Sequence, residues 1–253
     1  MSTKKIALIT GGSRGLGRDM AHNIAKKGID IIFTYHSNQE AAEKVVSEVD
    51  EYGGKAKAFQ LDTSNIKEFD NFYSSLESYL KEEYGHSKFD FLVNNAGTGI
   101  YKPFLETTED DFDEMQNIHL KGVYFLTQKA VPFLNEGGRI INISSGLARF
   151  SFPNSSAYAS AKGGVEVLTR YLAKELASKK ISANVVAPGA VGTDFGGGEN
   201  KTNEQKIKAV SNLTALGRVG EPEDIGGVVA FLCSEDARWI NGQRIEVAGG
   251  ILL

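Results

Sequence analysis

Short runs of β-branched and apolar residues alternate with longer amphipathic segments along the whole of this 253-residue chain. The runs predict seven β-strands, at 6–10, 29–35, 57–61, 89–93, 139–143, 182–187 and 243–247. Helix-length segments separate the first six runs, most clearly at 40–52, 65–84 and 109–133. This alternation is typical of βαβ units around a parallel sheet. We therefore expect a doubly wound α/β fold of about seven parallel strands with helices on both faces.

No internal repeat, low-complexity tract or linker divides the sequence, so we expect residues 1–253 to form a single domain. The least patterned region runs from 192 to 203 and contains three consecutive glycines, at 196–198. Such a segment is typical of a mobile loop over a site. We predict a substrate loop near 192–215.

The composition argues against several classes of function. The net charge of -4 and the absence of a basic tract do not favour a nucleic-acid partner. No apolar run approaches the length of a membrane span, so no membrane partner is expected. The single cysteine, Cys233, lies in an apolar run, and the four histidines show no metal-ligand spacing. We expect a cytoplasmic protein without a bound metal.

A glycine-rich loop follows the first predicted strand immediately. Gly11, Gly15 and Gly17 surround Ser13, Arg14 and Leu16, and a helical segment follows at 18–27. Glycines allow the backbone to turn tightly and approach a pyrophosphate, while the amino terminus of the helix offers free N–H groups. Strand, glycines and helix in this order predict a dinucleotide phosphate site.

Tyr158 and Lys162 lie four residues apart in a segment that has helix start signals at 153–156. Residues at this spacing share one helix face. A phenol exchanges protons poorly at neutral pH unless a cation favours the phenolate, and the Lys162 ammonium can be that cation. Ser145 follows the fifth predicted strand, where its hydroxyl could hold a carbonyl oxygen. For an isolated pair, a core tyrosine and a solvated lysine would be the better interpretation, but the glycine loop favours a proton-transfer site.

Together these features resemble the short-chain dehydrogenase/reductase family in its compact single-domain form, over nearly the whole chain. The spacing Gly11-x-x-x-Gly15-x-Gly17 matches the family's glycine motif, and Asn94-Asn95-Ala96-Gly97 matches its motif at the end of the fourth strand. The segment 188–193 matches its Pro-Gly-x-Val-x-Thr motif. The resemblance implies a Rossmann-type doubly wound sheet and an NAD(P)-dependent oxidoreductase.

By this resemblance Tyr158 is the general acid for ketone reduction and the base for alcohol oxidation. Ser145 polarises the carbonyl, while Lys162 favours the tyrosinate and hydrogen-bonds the nicotinamide ribose. The resemblance also implies cofactor contacts from Asn94, Asn95, Ala96, Gly97, Pro188, Gly189, Val191 and Thr193. Asp62 resembles the family's adenine-contacting aspartate, although a cap of the next helix has nearly equal weight.

One catalytic position departs from the family pattern. The family usually has asparagine in the helix before the serine strand, where it positions a water relayed to the lysine. His119 occupies that position here, and Asn117 falls two residues early. We consider two interpretations: His119 replaces the asparagine as a site residue, or it is an ordinary buried histidine.

The end of the second strand bears on the choice of nicotinamide cofactor. An acidic residue there would hold the ribose diol of NAD, but Tyr35, His36 and Ser37 stand in this position. Arg14, with charge assistance, and the donors at 36–38 could bind the 2′-phosphate of NADP instead. The sequence therefore predicts a preference for NADP(H), with NAD(H) possible.

The substrate is less constrained than the cofactor. Tyr101, Phe150, Phe152 and Phe195 could line an apolar pocket. We expect a small carbonyl compound or secondary alcohol, and the alternative is a 3-oxoacyl-acyl-carrier-protein substrate, for which Arg170 and Lys174 leave the option open. A non-catalytic nucleotide sensor is a further alternative. By resemblance we expect a homotetramer or dimer, with the apolar end at 251–253 buried against another subunit.

Overall fold

The computed structural model describes residues 4–253, and its centre is one sheet of seven parallel strands. The strands are β1 (Ile6–Ile9), β2 (Asp30–Tyr35), β3 (Ala56–Gln60), β4 (Phe89–Asn94), β5 (Leu134–Ile143), β6 (Ser182–Pro188) and β7 (Arg244–Val247). Their order is β3-β2-β1-β4-β5-β6-β7. The predicted doubly wound α/β fold is confirmed.

Helices cover both faces of the sheet. They are α1 (Gly15–Ala25), α2 (Gln39–Asp50), α3 (Phe69–Tyr84), α4 (Glu109–Gln116), α5 (Val123–Ala130), α6 (Ser156–Glu175), α7 (Glu199–Thr202), α8 (Glu204–Leu213) and α9 (Glu223–Leu232). Helices α1, α2 and α9 pack on one face, and α3, α5 and α6 pack on the other.

The buried strands divide their side chains between two cores. Ala7 and Ile9 of β1 face the α1 and α9 side, whereas Ile6 and Leu8 face the α3 and α5 side. Successive side chains of a strand point to opposite faces, so a parallel strand buried on both sides is apolar throughout. This explains why the sequence shows continuous apolar runs at these strands.

The order of the strands determines where a ligand can bind. The chain winds from β1 outward to β3 in one direction and from β4 outward to β7 in the other. The connections diverge between β1 and β4, and ligands of open α/β sheets bind beyond the carboxyl ends of the strands at such a point. The glycine loop follows β1 at this position.

The helix predicted over 109–133 is wrong in its interior. A π-helical segment, Asn117–Gly122, separates α4 from α5. A 3₁₀ turn that contains Pro132, Val131–Phe133, follows α5. A Cβ at Gly122 would lie 2.2 Å from the Thr63 carbonyl oxygen, so the chain passes unusually close to the β3–α3 connection here. Single-turn π segments are frequent at functional sites.

Other element boundaries also differ from those predicted. Strand β5 begins at Leu134 because Leu134 pairs with Phe89 across an irregularity in the β4–β5 register. Helix α3 begins at Phe69 after a 3₁₀ turn, Ile66–Glu68. The region 192–203, predicted to be a mobile loop, contains a 3₁₀ turn, Phe195–Gly197, and helix α7.

Helices of the described residues, 4–253, include none that is both long and apolar enough to cross a membrane.

Candidate active site

A continuous cleft of about 1090 Å³ opens beyond the carboxyl ends of β1, β4, β5 and β6. The glycine loop and the end of β2 line one part, and the Ser145–Tyr158–Lys162 group lines another. Small-molecule pockets usually have volumes of about 300–1,000 Å³, so this cleft is large enough for a dinucleotide and a second ligand together.

The glycine loop approaches its neighbours closely. Gly11 has φ +66°, and a Cβ on it would lie 2.9 Å from the Ala96 Cα atom. A Cβ at Gly17 would lie 2.1 Å from the Gly11 carbonyl oxygen. Any side chain at Gly17 would therefore collide with the loop backbone, so the loop conformation requires glycine there.

Helix α1 begins at Gly15 with its amino terminus open to the cleft. Arg14 is the N-cap residue but makes no side-chain capping bond, and the first turn contains no acidic residue. The first N–H groups of a helix lack partners within the helix and attract anions. This end of α1 has the chemistry of a phosphate site.

Asn95 and Thr10 hold the glycine loop against the end of β4. The Asn95 amide donates to the carbonyl oxygens of Thr10 at 2.9 Å and Gly11 at 3.0 Å. The Thr10 hydroxyl accepts from the backbone N–H groups of Asn95 and Ala96, both at 3.0 Å. Asn95 therefore holds the glycine loop in place as well as lining the cleft.

Two residues expected at the cofactor do not line the cleft. Asn94 is buried, and its amide donates to Thr127 Oγ1 at 2.9 Å and Asn142 Oδ1 at 2.7 Å, so it ties β4 to α5 and β5. Its side chain points away from the cleft because successive residues of a strand face opposite sides. Ser37 is exposed beyond the end of β2 and lies outside the cleft lining.

The other predicted site residues line the cleft. They are Gly11, Ser13, Arg14, Gly15, Leu16, Gly17, Tyr35, His36, Asp62, Asn95, Ala96, Gly97, His119, Ser145, Tyr158, Lys162, Pro188, Gly189, Val191 and Thr193.

Polar side chains stand at the end of β2. His36 Nε2 lies 4.0 Å from Asp62 Oδ2. Asp62 Oδ1 accepts from the Ser64 N–H at 2.8 Å and the Ser64 hydroxyl at 2.7 Å, so Asp62 forms a local turn and Asn65 caps the following 3₁₀ turn. The helix-cap interpretation of Asp62 is therefore wrong. The Arg14 guanidinium makes no hydrogen bond or ion pair within residues 4–253.

The end of β5 and the first turns of α6 bring Ser145, Tyr158 and Lys162 together. Lys162 Nζ donates to the Ile143 carbonyl oxygen at 2.7 Å and lies 5.6 Å from the centre of the Tyr158 ring. Helix α6 begins at Ser156, which places Tyr158 and Lys162 one turn apart on its buried face. The Ser145 hydroxyl accepts from the Leu147 N–H at 3.2 Å.

Burial dominates the electrostatics of this group. It raises the pKa of the Tyr158 phenol well above its usual value of 10, and hydrogen bonding by Ser145 only partly opposes this. Burial also lowers the pKa of Lys162 to about 7. At neutral pH the phenol is therefore protonated and able to donate, while the lysine amine exchanges between its two forms.

His119 lies in the π-helical segment, with its ring edge-on to Tyr158 at 4.9 Å between ring centres. Burial and the nearby Lys162 charge hold the pKa of His119 well below its usual value of 6.5, so the ring is neutral. Its Nε2 donates to the Thr98 carbonyl oxygen at 2.7 Å. Nδ1 is then an acceptor, and it has no partner among the described residues.

Aromatic side chains line the cleft around Tyr158. Tyr101 and Phe195 flank Tyr158, with ring centres 6.4 and 5.8 Å from it, and Phe150 and Phe152 also line the cleft. All four residues that were predicted to line an apolar pocket therefore line this cleft.

Two glycines let these walls close together. A Cβ at Gly196 would lie 2.5 Å from the Tyr101 ring, and one at Gly99 would lie 3.0 Å from the Phe195 ring. Each aromatic ring thus packs on the backbone of the opposite loop.

Comparison with known proteins identifies the family. A family model described as enoyl-(acyl carrier protein) reductase matches residues 11–252. The hydroxynaphthalene reductase-like protein Arp2 of Metarhizium robertsii is 38% identical over 98% of this chain and 95% of its own. The chain belongs to the short-chain dehydrogenase/reductase family.

Solved structures of similar proteins agree with this assignment. The landomycin C-6 ketoreductase LanV, crystallised with bound NADP and rabelomycin, is 37% identical with a TM-score of 0.90, covering 99% of this chain and 97% of its own. The reductase LugOII, which catalyses keto-reduction at C1 in lugdunomycin biosynthesis, is 37% identical with a TM-score of 0.94, covering 99% of both chains. The predictions of family and of oxidoreductase class are confirmed.

Several cleft residues of this short-chain dehydrogenase/reductase were not predicted from the sequence. Glu114, Glu199 and Lys206 line the cleft, and Lys206 Nζ lies 5.6 Å from the centre of the Tyr101 ring. They lie on helices far from the recognisable motifs, so no local pattern marks them. Glu166 did carry a signal, because it continues the spacing of four residues from Tyr158 and Lys162 on α6.

Proposed function

We propose that this protein uses NADPH to reduce the carbonyl group of a small, planar ring compound, with Tyr158 as the proton donor. The observation that carries the proposal is the convergence of a buried phenol, a serine hydroxyl and a lysine in one cleft with a glycine-rich phosphate site. A proton donor and a dinucleotide site are the two requirements of carbonyl reduction.

The residues present fit a dinucleotide. The glycine backbone forms a close cradle, and the amino terminus of α1 has neither a side-chain cap nor an acidic residue. NADPH, when bound, supplies the hydride that adds to the carbonyl carbon. The Tyr158 phenol gives its proton to the carbonyl oxygen, and the Ser145 hydroxyl hydrogen-bonds the same oxygen. Lys162 holds its ammonium beside the phenol and favours the phenolate that remains.

We include His119 in this machinery. Its neutral ring presents an unpartnered acceptor close to Lys162 and Tyr158. A water molecule that donates a hydrogen bond to Nδ1 could also hydrogen-bond to Lys162, and this chain could return a proton to the site. His119 would then occupy the place that the family usually gives to asparagine.

Arg14 and His36 support the choice of NADPH over NADH. No carboxylate follows Tyr35 at the end of β2, and Arg14, His36 and Tyr35 all line the cleft. A guanidinium binds phosphate through charge-assisted hydrogen bonds. LanV was crystallised with NADP, which agrees with this proposal.

Aromatic walls support the substrate class. Tyr101 and Phe195 face Tyr158 from two sides, and flat rings pack well against such surfaces. The relative Arp2 is named for hydroxynaphthalene, a fused two-ring aromatic. Arg170 and Lys174 lie outside the cleft lining, which weakens the case for an acyl-carrier substrate.

The experiment compares the wild type with Tyr158→Phe on fused-ring ketones, quinones, sugars and 3-oxoacyl thioesters. We expect turnover of the ring ketones or quinones, and a loss of about 100-fold or more in kcat for the variant. The dissociation constant of NADPH, measured by fluorescence, should change little. Tyr124→Phe, which alters an exposed tyrosine of α5, is the matched control.

The same assays include NADH in place of NADPH. We expect kcat/KM to be at least about tenfold higher with NADPH, and Arg14→Ala to narrow the difference, since a charged hydrogen bond contributes about 1.5–3 kcal/mol. Equal or better kcat/KM with NADH would contradict the cofactor preference. If the wild-type protein binds NADPH but turns over none of the compounds, the result would favour a non-catalytic nucleotide sensor. A preference for the 3-oxoacyl thioesters would favour the acyl-carrier-protein alternative.

A further inference from the structure

A polar network lies behind the active site, and its two charged members, Glu166 and Arg244, are outside the cleft lining. Glu166 stands on α6 one turn beyond Lys162, and its Oε1 atom accepts two hydrogen bonds. One comes from the Ser144 hydroxyl and the other from Arg244 Nε, each at 2.7 Å. Ser144 immediately precedes Ser145, and Arg244 is the first residue of β7. Three separate elements therefore meet at one carboxylate.

The same arginine reaches the backbone of Ser145. Arg244 Nη2 donates to the Ser145 carbonyl oxygen at 3.3 Å. Arg244 Nη1 lies 3.2 Å from Glu246 Oε2, which is 2.8 Å from Arg149 Nε. The network therefore holds Ser145 at two points. One is the side chain of its neighbour Ser144, and the other is its own carbonyl group.

The network is shielded from solvent. The side chains of Glu166 and Arg244 are 14% and 23% exposed, so their ion pair is screened less than a surface pair. Exposed ion pairs contribute little to stability. Partly buried charged groups whose hydrogen bonds are satisfied instead hold the neighbouring residues in one geometry.

Other polar contacts also tie α6 to β5, among them a hydrogen bond from the Asn142 amide to Thr169 Oγ1 at 2.9 Å. Lys162 Nζ donates to the Ile143 carbonyl oxygen at 2.7 Å, and the Ser144 hydroxyl lies 3.4 Å from the Lys162 carbonyl oxygen. Under the proposed function the Lys162 ammonium also serves the cofactor and Tyr158. The Ser144–Glu166 bond can hold α6 against β5 without using a side chain of the reaction.

We propose that Glu166 and Arg244 are positioning residues, which fix the Ser145 hydroxyl relative to the Tyr158 phenol. This inference rests on the proposed function, because it concerns the geometry of that same reaction. Neither residue touches the cleft, so each acts only through Ser144 and Ser145. A displacement of about 1 Å at a reacting group can cost about 100-fold in rate.

The test measures kcat, the KM for NADPH and the deuterium isotope effect with NADPH labelled at the transferred hydrogen. We expect Glu166→Ala and Arg244→Met to lower kcat about 10- to 100-fold, with the KM for NADPH changed less than about twofold. The isotope effect on kcat should rise, because the hydride step becomes slower relative to product release. Glu166→Gln keeps an acceptor for Ser144 and Arg244, so it should restore most of the lost rate.

Glu48→Ala is the matched control. Glu48 is 17% exposed and pairs with Arg18 on the opposite face of the sheet, far from Ser145. This variant should lose stability without losing kcat. If Glu166→Ala does not fold, Ser144→Ala removes a single hydroxyl from the same network and should lower kcat several-fold with the same rise in the isotope effect.

Three results would overturn the inference in distinguishable ways. If the wild type is active and Glu166→Ala, or Ser144→Ala in its place, retains kcat and the isotope effect, then the network only stabilises the fold. If the wild type itself reduces no carbonyl compound with NADPH, the proposed function fails and the inference fails with it. A double-mutant cycle of Ser144→Ala and Arg244→Met should be non-additive, since both act through Glu166; strict additivity would also contradict a shared network.

Discussion

Lys162 is a basic side chain that the fold buries, with 4% of the residue exposed. Burial lowers its pKa from 10.5 to about 7. The unfolded chain therefore binds one more proton than the folded chain between about pH 7 and 10.5, so this residue makes the protein less stable as the pH falls through that window. The cost at neutral pH is on the order of 4 kcal/mol.

We predict that Lys162→Met abolishes turnover but stabilises the folded protein at pH 7. The substitution removes the cost of burying the amine but leaves the Ile143 carbonyl oxygen without its donor, which costs about 1–3 kcal/mol. The net gain should be about 1–3 kcal/mol at pH 7 and should reverse to a loss near pH 10.5, where only the missing hydrogen bond to the Ile143 carbonyl oxygen remains. Urea unfolding of both proteins at pH 7 and pH 10.5 measures this difference in the free energy of unfolding. A variant less stable than the wild type at pH 7 would contradict the claim that burying the Lys162 amine destabilises the fold.

His119 allows a second test at the residue scale. Because its ring is neutral in the fold, the unfolded chain binds more protons below pH 6.5, and the protein should lose stability as the pH falls through that value. We expect His119→Leu to lower kcat about tenfold or more with little change in NADPH affinity, since the acceptor at Nδ1 is lost. His119→Asn keeps a polar group and should retain more activity.

Rates at pH 7.5 and thermal midpoints at pH 5.5 and 7.5 separate the two interpretations of His119. Both variants should show a smaller loss of stability at pH 5.5 than the wild type. A wild-type rate in His119→Leu would leave His119 as an ordinary buried histidine.

At the scale of elements, helices α1 and α9 pack with very little space between them. A Cβ at Gly226 would lie 1.9 Å from Asp19 Oδ2 and 2.7 Å from Asn23 Nδ2, whereas a Cβ at Gly227 would meet nothing within 4 Å. Both glycines are interior residues of α9. The two positions form a matched pair, because they are adjacent in the same helix but lie on different faces of it.

We predict opposite effects for the two alanine substitutions. Gly226→Ala should destabilise by about 1–3 kcal/mol because the added methyl group overpacks the α1–α9 contact. Gly227→Ala should stabilise by up to about 1 kcal/mol, since alanine favours a helix over glycine. The free energies of unfolding in urea measure both; equal shifts of the same sign would show that the helices separate easily.

The π-helical segment shows how packing can override local periodicity. The apolar spacing over 109–133 predicts one continuous helix, and that prediction holds for α4 and α5. Between them, close contact of Gly122 with the Thr63 backbone and burial of His119 accompany a wider turn. The cause is a contact with a different part of the chain, so no local pattern encodes it.

At the scale of the whole molecule, large apolar side chains remain on the surface. Trp239 and Leu253 are each 95% exposed, Leu105 is 94% exposed and Tyr171 on α6 is 63% exposed. Contiguous apolar patches often mark contacts with other proteins, whereas single exposed apolar residues are common. The expectation that residues 251–253 pack against another subunit is wrong for Ile251, which is buried within its own chain and pairs with Thr214; Leu252 and Leu253 are exposed.

We predict that the protein forms a homotetramer or a dimer in solution, as the family resemblance implies. Light scattering coupled to size exclusion should give four times, or twice, the mass of one chain. Tyr171→Glu should reduce this mass, because a buried charge would oppose association, and Lys44→Glu on exposed α2 should not. A monomer in the wild type, or an unchanged oligomer in Tyr171→Glu, would show that this surface is not an interface.

The sequence alone determined the sheet, the glycine loop and the pairing of Tyr158 with Lys162. Each depends on residues close together in the chain: continuous apolar runs for buried strands, glycine spacing after β1, and a spacing of four residues on one helix face. Local physical rules are sufficient for such features. Ser145 was indicated by its place at the carboxyl end of a strand, whereas Asn95 was indicated by the family resemblance.

Only the tertiary structure decided which polar residues meet. Asn94 and Asn95 are neighbours in the sequence, yet one braces the sheet and the other holds the glycine loop. Glu166 and Arg244 lie far apart in the chain and meet behind Ser145. The depressed pKa of Lys162 likewise arises from burial by several elements at once. Long-range contacts and desolvation depend on the packing of the whole molecule, and no segment of the sequence carries that information by itself.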